Sequence, residues 1–243
     1  MEESFLLAQE IGADGVELVL TPQAIGAGFN KIKFLSDKYK IPVLNIHQPP
    51  WGILFTGKRG IKRLVNKAKF FGATSITVHL ATARRQFNSS FFDWIKELEK
   101  ESGISAAFEN GNSYLESWPS YAINPEELDK FVSERKVAVT LDVPKASIAG
   151  ADPYQFFKNH CSEIKVIHAH GFKGNGYHLS FRAGDFDWFG FMSFIKKFNY
   201  GGLVTLEVFP MAQYFYFGLP SKEKLESAKK IVKESFEVLK RSN

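Results

Sequence analysis

Short runs of branched and aromatic residues recur along the chain, separated by longer stretches with helical periodicity. The runs cover residues 16–20, 42–46, 75–78, 104–108, 137–141, 164–167 and 203–206. Their starts fall about 30 residues apart, the length of a strand–helix unit. Runs this short and this apolar suit strands covered on both faces. Between them, residues 62–71 place Leu64, Ala68 and Phe71 on one side and stop at Gly72, the pattern of an amphipathic helix with a glycine C-cap. Asn124 followed by Pro125, Glu126 and Glu127 reads as an N-cap, a proline at the first helical position and an acidic first turn. Ser221, just after Pro220, caps a long amphipathic helix that runs to Arg241. Regular alternation of this kind predicts an α/β fold with a parallel sheet. Right-handed crossovers then leave a closed TIM-type (β/α) barrel or an open doubly wound sheet.

Composition narrows the class. With 243 residues, 44% hydrophobic and 23% charged, the chain has the size and balance of one barrel domain spanning residues 1–243. No linker, low-complexity segment or break in composition divides it. No apolar run approaches the ~20 residues needed to span a bilayer. The first residues are acidic and then helical in pattern, unlike a secretory signal. A lone cysteine, Cys161, excludes a disulfide framework within the chain and suits a reducing, cytoplasmic setting. The net charge of +5 is mild, and permits nucleic acid or phosphorylated substrates without requiring either. Aromatics are abundant at 15%, with 24 phenylalanines, mostly core by expectation.

The strand ends carry the chemistry. They read Asn45-Ile46-His47, Thr77-Val78-His79, Phe108-Glu109-Asn110, Leu141-Asp142-Val143, Ile167-His168-Ala169 and Leu206-Glu207-Val208. Six of seven runs thus finish in His, Asp or Glu, where an even spread of these types would put about one. Of the 6 histidines, only His160 lies away from a strand end or the loop beyond it. In a parallel barrel all C-terminal strand ends meet at one rim, so these side chains face a common centre. Imidazole nitrogen mixed with carboxylate oxygen suits zinc, manganese, iron or cobalt; magnesium fits such a set less well. Packed carboxylates would otherwise repel and raise one another's pKa, a conflict that a divalent cation resolves.

These motifs resemble the xylose isomerase-like barrel superfamily, which includes endonuclease IV, inositol-catabolism enzymes and ketose 3-epimerases. The likeness runs through GADGVEL (12–18), IHQPPW (46–51), GATSITVHLA (72–81), FENGN (108–112), LDVPKASIAGAD (141–152), VIHAHG (166–171), GDFDW (184–188) and YGGLVTLEVFP (200–210). By this resemblance Glu109, Asp142, His168 and Glu207 match the four ligands of one metal in epimerase-like members. His47 and His79 match two histidines that hold a second metal with the equivalent of Glu109 in endonuclease IV. The third metal of that enzyme has lost its ligands here: Lys145 and Gly176 stand in two of the places, and only His178 remains. The resemblance therefore implies one or two divalent ions. It also implies a strand before the first helix, whereas this chain opens on a helix over residues 2–11 and shows seven recognisable strands. An open seam between the first and last strands would demand cover by a lid, a terminus or a second copy of the chain.

Around this centre, Lys145, His170, His178, Arg182, Glu17 and Trp51 are the substrate-binding candidates. Lys145 would bind a phosphate or hydroxyl, or fill the lost metal's place with positive charge. Arg182 would clamp an anion or simply face solvent from its loop, and Glu17 would orient a pocket group or serve a structural role. Trp51 and the aromatic run 209–217 would stack on a sugar face, form a lid or cover the barrel. Arg84 and Arg85 are rim-loop anion candidates, whereas the basic stretch 58–67 reads as a solvated helix face. The function expected is a metal-dependent sugar or sugar-phosphate isomerase or epimerase, with Glu109 and Glu207 as the proton-moving pair. The alternatives are a phosphodiesterase acting at abasic sites in DNA and a non-catalytic barrel homologue.

Overall fold

The computed structural model describes residues 1–49, 57–79, 89–110, 125–174, 176–208 and 222–241. Six strands, β1 (Val16–Val19), β2 (Val43–His47), β3 (Ser75–His79), β4 (Ser105–Glu109), β5 (Val139–Asp142) and β6 (Ile164–Ala169), are followed by a hairpin of β7 (Gly171–Lys173) and β8 (Gly176–Leu179) and by a last strand, β9 (Leu203–Leu206). Strands β1 to β6 and β9 pair in that order, all parallel. They form a nearly closed TIM-type barrel. The helices are α1 (Glu2–Ile11), α2 (Pro22–Ala27), α3 (Phe29–Tyr39), α4 (Gly57–Phe71), α5 (Ser89–Ser102), α6 (Pro125–Arg135), α7 (Val143–Ile148), α8 (Pro153–His160), α9 (Trp188–Lys196) and α10 (Lys222–Arg241). None of the described helices is long and apolar enough to cross a membrane.

All seven expected strands are present, with shifted ends. Strands β2, β3 and β4 each run one residue further than the apolar pattern suggested, so His47, His79 and Glu109 are their last residues. Helix α4 starts at Gly57 rather than at residue 62. The hairpin was not expected, because its strands are short and interrupted by glycines. Gly171 is required there: a Cβ at this position would overlap the Ser180 carbonyl, so only glycine lets β7 pack this closely. The proposed caps Asn124 and Ser221 lie outside the described residues.

Along each strand, alternate residues serve different layers. Ile46, Ile76, Val78, Phe108, Leu141 and Ile167 are fully buried in one continuous apolar layer. Their partners in the alternation are polar and bond to one another inside the barrel. Asn45 Nδ2 donates to Glu17 at 2.6 Å and to Thr77 Oγ1 at 2.8 Å; Ser75 Oγ donates to Asn45 at 2.8 Å; the Thr77 and Thr140 hydroxyls meet at 2.9 Å. A satisfied polar floor of this kind fixes side-chain positions above it. The aromatic surplus packs outside: Phe157 on α8 meets Phe191, Phe194, Phe198 and Tyr200 with ring centroids 5.3–6.1 Å apart.

The barrel is open between β1 and β9, which do not pair with each other among the described residues. Both strands are only partly buried along their whole length, unlike the strands between them. A cavity of about 460 Å³ lies in the seam, lined by Val16 and Val19 of β1, Leu203 and Leu206 of β9, Leu7 of α1 and Phe236 of α10. Helices α1 and α10 flank it and are joined by ion pairs, Lys229 with Glu3 at 2.6 Å and Lys233 with Glu10 at 2.9 Å.

Candidate metal centre at the barrel rim

Strand register brings the strand-end residues level. His79 lies beside Glu109, and Asp142 beside His168, in directly paired positions. The six strand-end residues named from the sequence fall into two overlapping groups whose ligand atoms lie within 4.8 Å of one another: His47, His79 and Glu109, and Glu109, Asp142, His168 and Glu207. Glu109 belongs to both. Two further groups reach out from them, Glu17 with His47 and His168, and His170 with His178 and Glu207.

Glu109 is the hub and is almost wholly buried. Its Oε1 accepts from Lys145 Nζ at 2.8 Å and lies 3.0 Å from His168 Nδ1. Its Oε2 lies 2.9 Å from His79 Nδ1 and 3.6 Å from His47 Nε2. Burial alone would raise this carboxyl. The Lys145 and His79 charges, with a hydrogen bond from His168, hold it well below the ordinary carboxylate range. Asp142 follows the same logic: burial opposes ionisation, and Lys145 and His170 overcome it. Lys145 is the counterpart, kept charged against burial by Asp142, Glu109 and Glu207.

The histidines are oriented by what their second nitrogen does. His47 Nδ1 donates to the Gln48 carbonyl at 2.6 Å, which turns Nε2 towards the rim. His170 Nδ1 lies 3.1 Å from the His178 backbone nitrogen and 3.3 Å from the Gly171 carbonyl oxygen, which turns its Nε2 to Asp142, 3.4 Å away. His178 has φ of 54°, a left-handed conformation uncommon outside glycine. Its Nδ1 lies 3.0 Å from the Glu207 carbonyl oxygen, and burial lowers its pKa.

These residues fit a divalent cation. Three buried ligand-type atoms, His47 Nε2, Glu109 Oε2 and Glu207 Oε2, make no hydrogen bond with the described residues. Buried polar atoms are rarely left this way. Mixed nitrogen and oxygen donors around them match zinc, manganese, iron or cobalt.

The other candidates divide. Glu17 joins the centre, accepting from Asn45 and lying 3.2 Å from His168 Nε2. His170, His178 and Lys145 are also at the rim. Arg182 is not: it turns outward to Glu234 on α10 at 3.7 Å with its side chain 77% exposed, the solvent-facing placement that was the alternative to an anion clamp. The 3-10 turn that carries it, Phe181–Ala183, buries Phe181 and thereby points Arg182 away. His160, set aside from the strand ends, pairs with Asp129 at 2.8 Å. Trp51, Arg84, Arg85 and the run 209–217 lie outside the described residues. Three supporting residues sit in the quoted motifs but were given no role from the sequence. Asn110 clamps the Asp142 backbone through both its amide nitrogen (2.9 Å) and its oxygen (2.7 Å). Gln48 accepts from the His79 backbone at 2.8 Å. Trp188 Nε1 donates to the His170 carbonyl at 3.1 Å. The signal for the first two was their position, one residue past a strand end.

The Glu17–His168 pair sets a pH window for the metal-free fold. Burial would raise the Glu17 carboxyl, but His168 and His47 charges bring it from 4.5 down to about 2. Burial would lower His168, but Glu17, Glu207 and Glu109 hold it well above 6.5. The depressed carboxyl adds stability that is full above pH 4.5 and is lost as pH falls towards 2. The raised imidazole adds stability that is full below pH 6.5 and is lost as pH rises through its folded value. Urea midpoints of metal-free protein are expected to peak between about pH 4.5 and 6.5, with Glu17→Gln shallowing the acid limb. An acid limb unchanged in that variant would contradict this assignment.

A family model described as a xylose isomerase-like TIM barrel matches residues 5–242. An uncharacterized protein of Mycobacterium leprae (strain TN) is 32% identical over 117 residues, a match covering 45% of this chain and 41% of that protein. The likeness thus spans less than half of the relative's length. An AP endonuclease of family 2 from Brucella melitensis superposes with a TM-score of 0.66 at 17% identity, over 90% of this chain and 93% of that one. A 3-keto-D-glucoside 4-epimerase from E. coli, in its apo form, gives a TM-score of 0.66 at 14% identity, over 95% and 92%. At these identities the likeness is one of fold.

Proposed function

Because the chain belongs to the xylose isomerase-like TIM barrel family, we propose that it is a metal-dependent isomerase or epimerase of a sugar or sugar phosphate. The observation that supports this most is the meeting of two ligand groups on one buried carboxylate, Glu109. Glu109, Asp142, His168 and Glu207 offer one place for a divalent cation, and His47, His79 and Glu109 a second. A bound ion would supply Lewis-acid polarisation of a substrate carbonyl and its neighbouring hydroxyl.

The chain's own groups then divide the work. Glu207 is the better proton carrier. It keeps its Oε2 free of hydrogen bonds among the described residues and lies 3.3 Å from His168 Nδ1. Glu109 is tied to Lys145 and His168 and serves first as a ligand. A one-base shuttle by Glu207 suffices for aldose–ketose isomerisation. Epimerisation needs a second group across the barrel, and Glu109, on β4, would be that carboxylate. His170 and His178 line the same rim and would bind substrate hydroxyls.

Solvent-deuterium uptake into a panel of ketoses and their phosphates tests the reading, using protein loaded with zinc, manganese or cobalt. Uptake is expected with at least one sugar, falling by about 10²–10⁴-fold in Glu207→Gln. No uptake with any ion and any sugar would sink it. The His47–His79–Glu109 group favours a second reading, a two-metal phosphodiesterase. Cleavage of an abasic-site oligonucleotide, abolished by His79→Ala, would put that reading first.

A further inference from the structure

Lys145 reaches into one of the two cation places. Helix α7 starts directly from the end of β5, and Asp142 is its N-cap: Asp142 Oδ1 accepts from the Lys145 backbone N–H at 2.9 Å. Three residues on, the Lys145 side chain folds back, and its Nζ lies 2.8 Å from Asp142 Oδ2. Both oxygens of Asp142 are therefore occupied by the same residue. The ammonium also donates to Glu109 Oε1 at 2.8 Å, so it bridges carboxylates from neighbouring strands, where a cation shared by Glu109 and Asp142 would have to sit. An ion shared by these carboxylates would need their oxygens at about 2.0–2.2 Å, in the space the ammonium takes between them, and would meet its charge at close range.

The other half of Glu109 is different. Oε2 and His47 Nε2 make no hydrogen bond with the described residues, and His79 Nδ1 lies 2.9 Å from Oε2. Among the described residues, no ammonium is paired with Oε2. We propose that Lys145 is a tethered cation that fills the Glu109–Asp142 place, so that the chain holds a single divalent ion, on the His47–His79–Glu109 side. The proposal rests on the metal-centre reading above and narrows it. The centre pairs one exchangeable ion with one permanent positive charge, and a substrate oxyanion lying between them is met from both sides.

The test is the ion count of the full chain, stripped of metal and titrated with Mn²⁺ alone and then with Zn²⁺ alone. Calorimetry gives the stoichiometry, elemental analysis confirms it, and manganese spin coupling reports a pair of neighbouring ions. One ion per chain is expected in the wild type, with no spin coupling. Lys145→Met, which keeps the stem and removes the charge, is expected to take a second ion and to show coupling, whereas Lys145→Arg stays at one. Two ions in the wild type would overturn the proposal and leave the metal centre standing, and this result needs no variant to fold. A folded Lys145→Met protein that still takes one ion would also overturn it. No ion in the wild type would overturn the metal centre itself, and the proposal with it.

Discussion

Replacing Glu109 by alanine is expected to empty the cation centre and weaken the metal-free fold together. The side chain is 1% exposed and is the shared partner of Lys145, His168, His79 and His47. Removing it takes one of the buried carboxylates away from the Lys145 ammonium. Breaking a buried pair from one side costs about 3–5 kcal/mol. Urea denaturation of apo-protein measures that loss, and elemental analysis measures retained ion. Glu109→Gln keeps the volume and one hydrogen-bond acceptor, so it separates the lost charge from the cavity. A Glu109→Ala protein that unfolds with the wild type and keeps its ion would remove Glu109 from the centre.

Trp188→Ala is the second large effect, and it works from outside the rim. Trp188 is 2% exposed. Its ring stacks on Phe181 at 5.0 Å and 14° and meets Phe186 and Phe191 edge-on at 5.0 and 5.8 Å. Truncating a buried aromatic of this size costs about 3–5 kcal/mol. The indole N–H also holds the His170 carbonyl, at the point where β6 gives way to the hairpin. Trp188→Phe refills most of the volume and loses only that bond, at about 1–3 kcal/mol for the carbonyl left buried. Thermal melts of both variants should therefore fall in the order wild type, Trp188→Phe, Trp188→Ala. Equal melting of Trp188→Phe and wild type would show that the bond contributes nothing to stability.

Much of this was readable from the chain. Strand positions followed from period and apolar runs, because the outward residues of each strand, such as Ile76 and Val78, must face the helices. The rim residues His47, His79, Glu109, Asp142, His168 and Glu207 followed from their place at strand ends, since a parallel barrel turns sequence position into spatial convergence. Side-chain direction was not readable. Arg182 and Lys145 both sit just past strands in polar surroundings, yet one turns out to Glu234 and the other folds inward onto two carboxylates. Their directions are decided by neighbours distant in sequence: Phe181 buried against Trp188, and Glu109 presented by β4. The polar floor of Asn45, Thr77 and Thr140 was hidden for a related reason. Threonine has the β-propensity of an apolar residue, so the strands read as uniformly buried when they alternate.

The seam carries one more consequence, for the order in which the barrel assembles. Each strand joins its sequence neighbour through a connection of about 30 residues, except at the meeting of α1 with α10. There Lys229 finds Glu3 and Lys233 finds Glu10 across nearly the whole chain. Three doublings of loop length separate that closure from an ordinary step, an entropic handicap on the order of 2 kcal/mol. Only partly buried strands and exposed charges repay it. The terminal helices are thus the last to dock in folding and the first to part in unfolding, and salt, which screens their ion pairs, should speed the parting while leaving the inner strands' assembly nearly untouched.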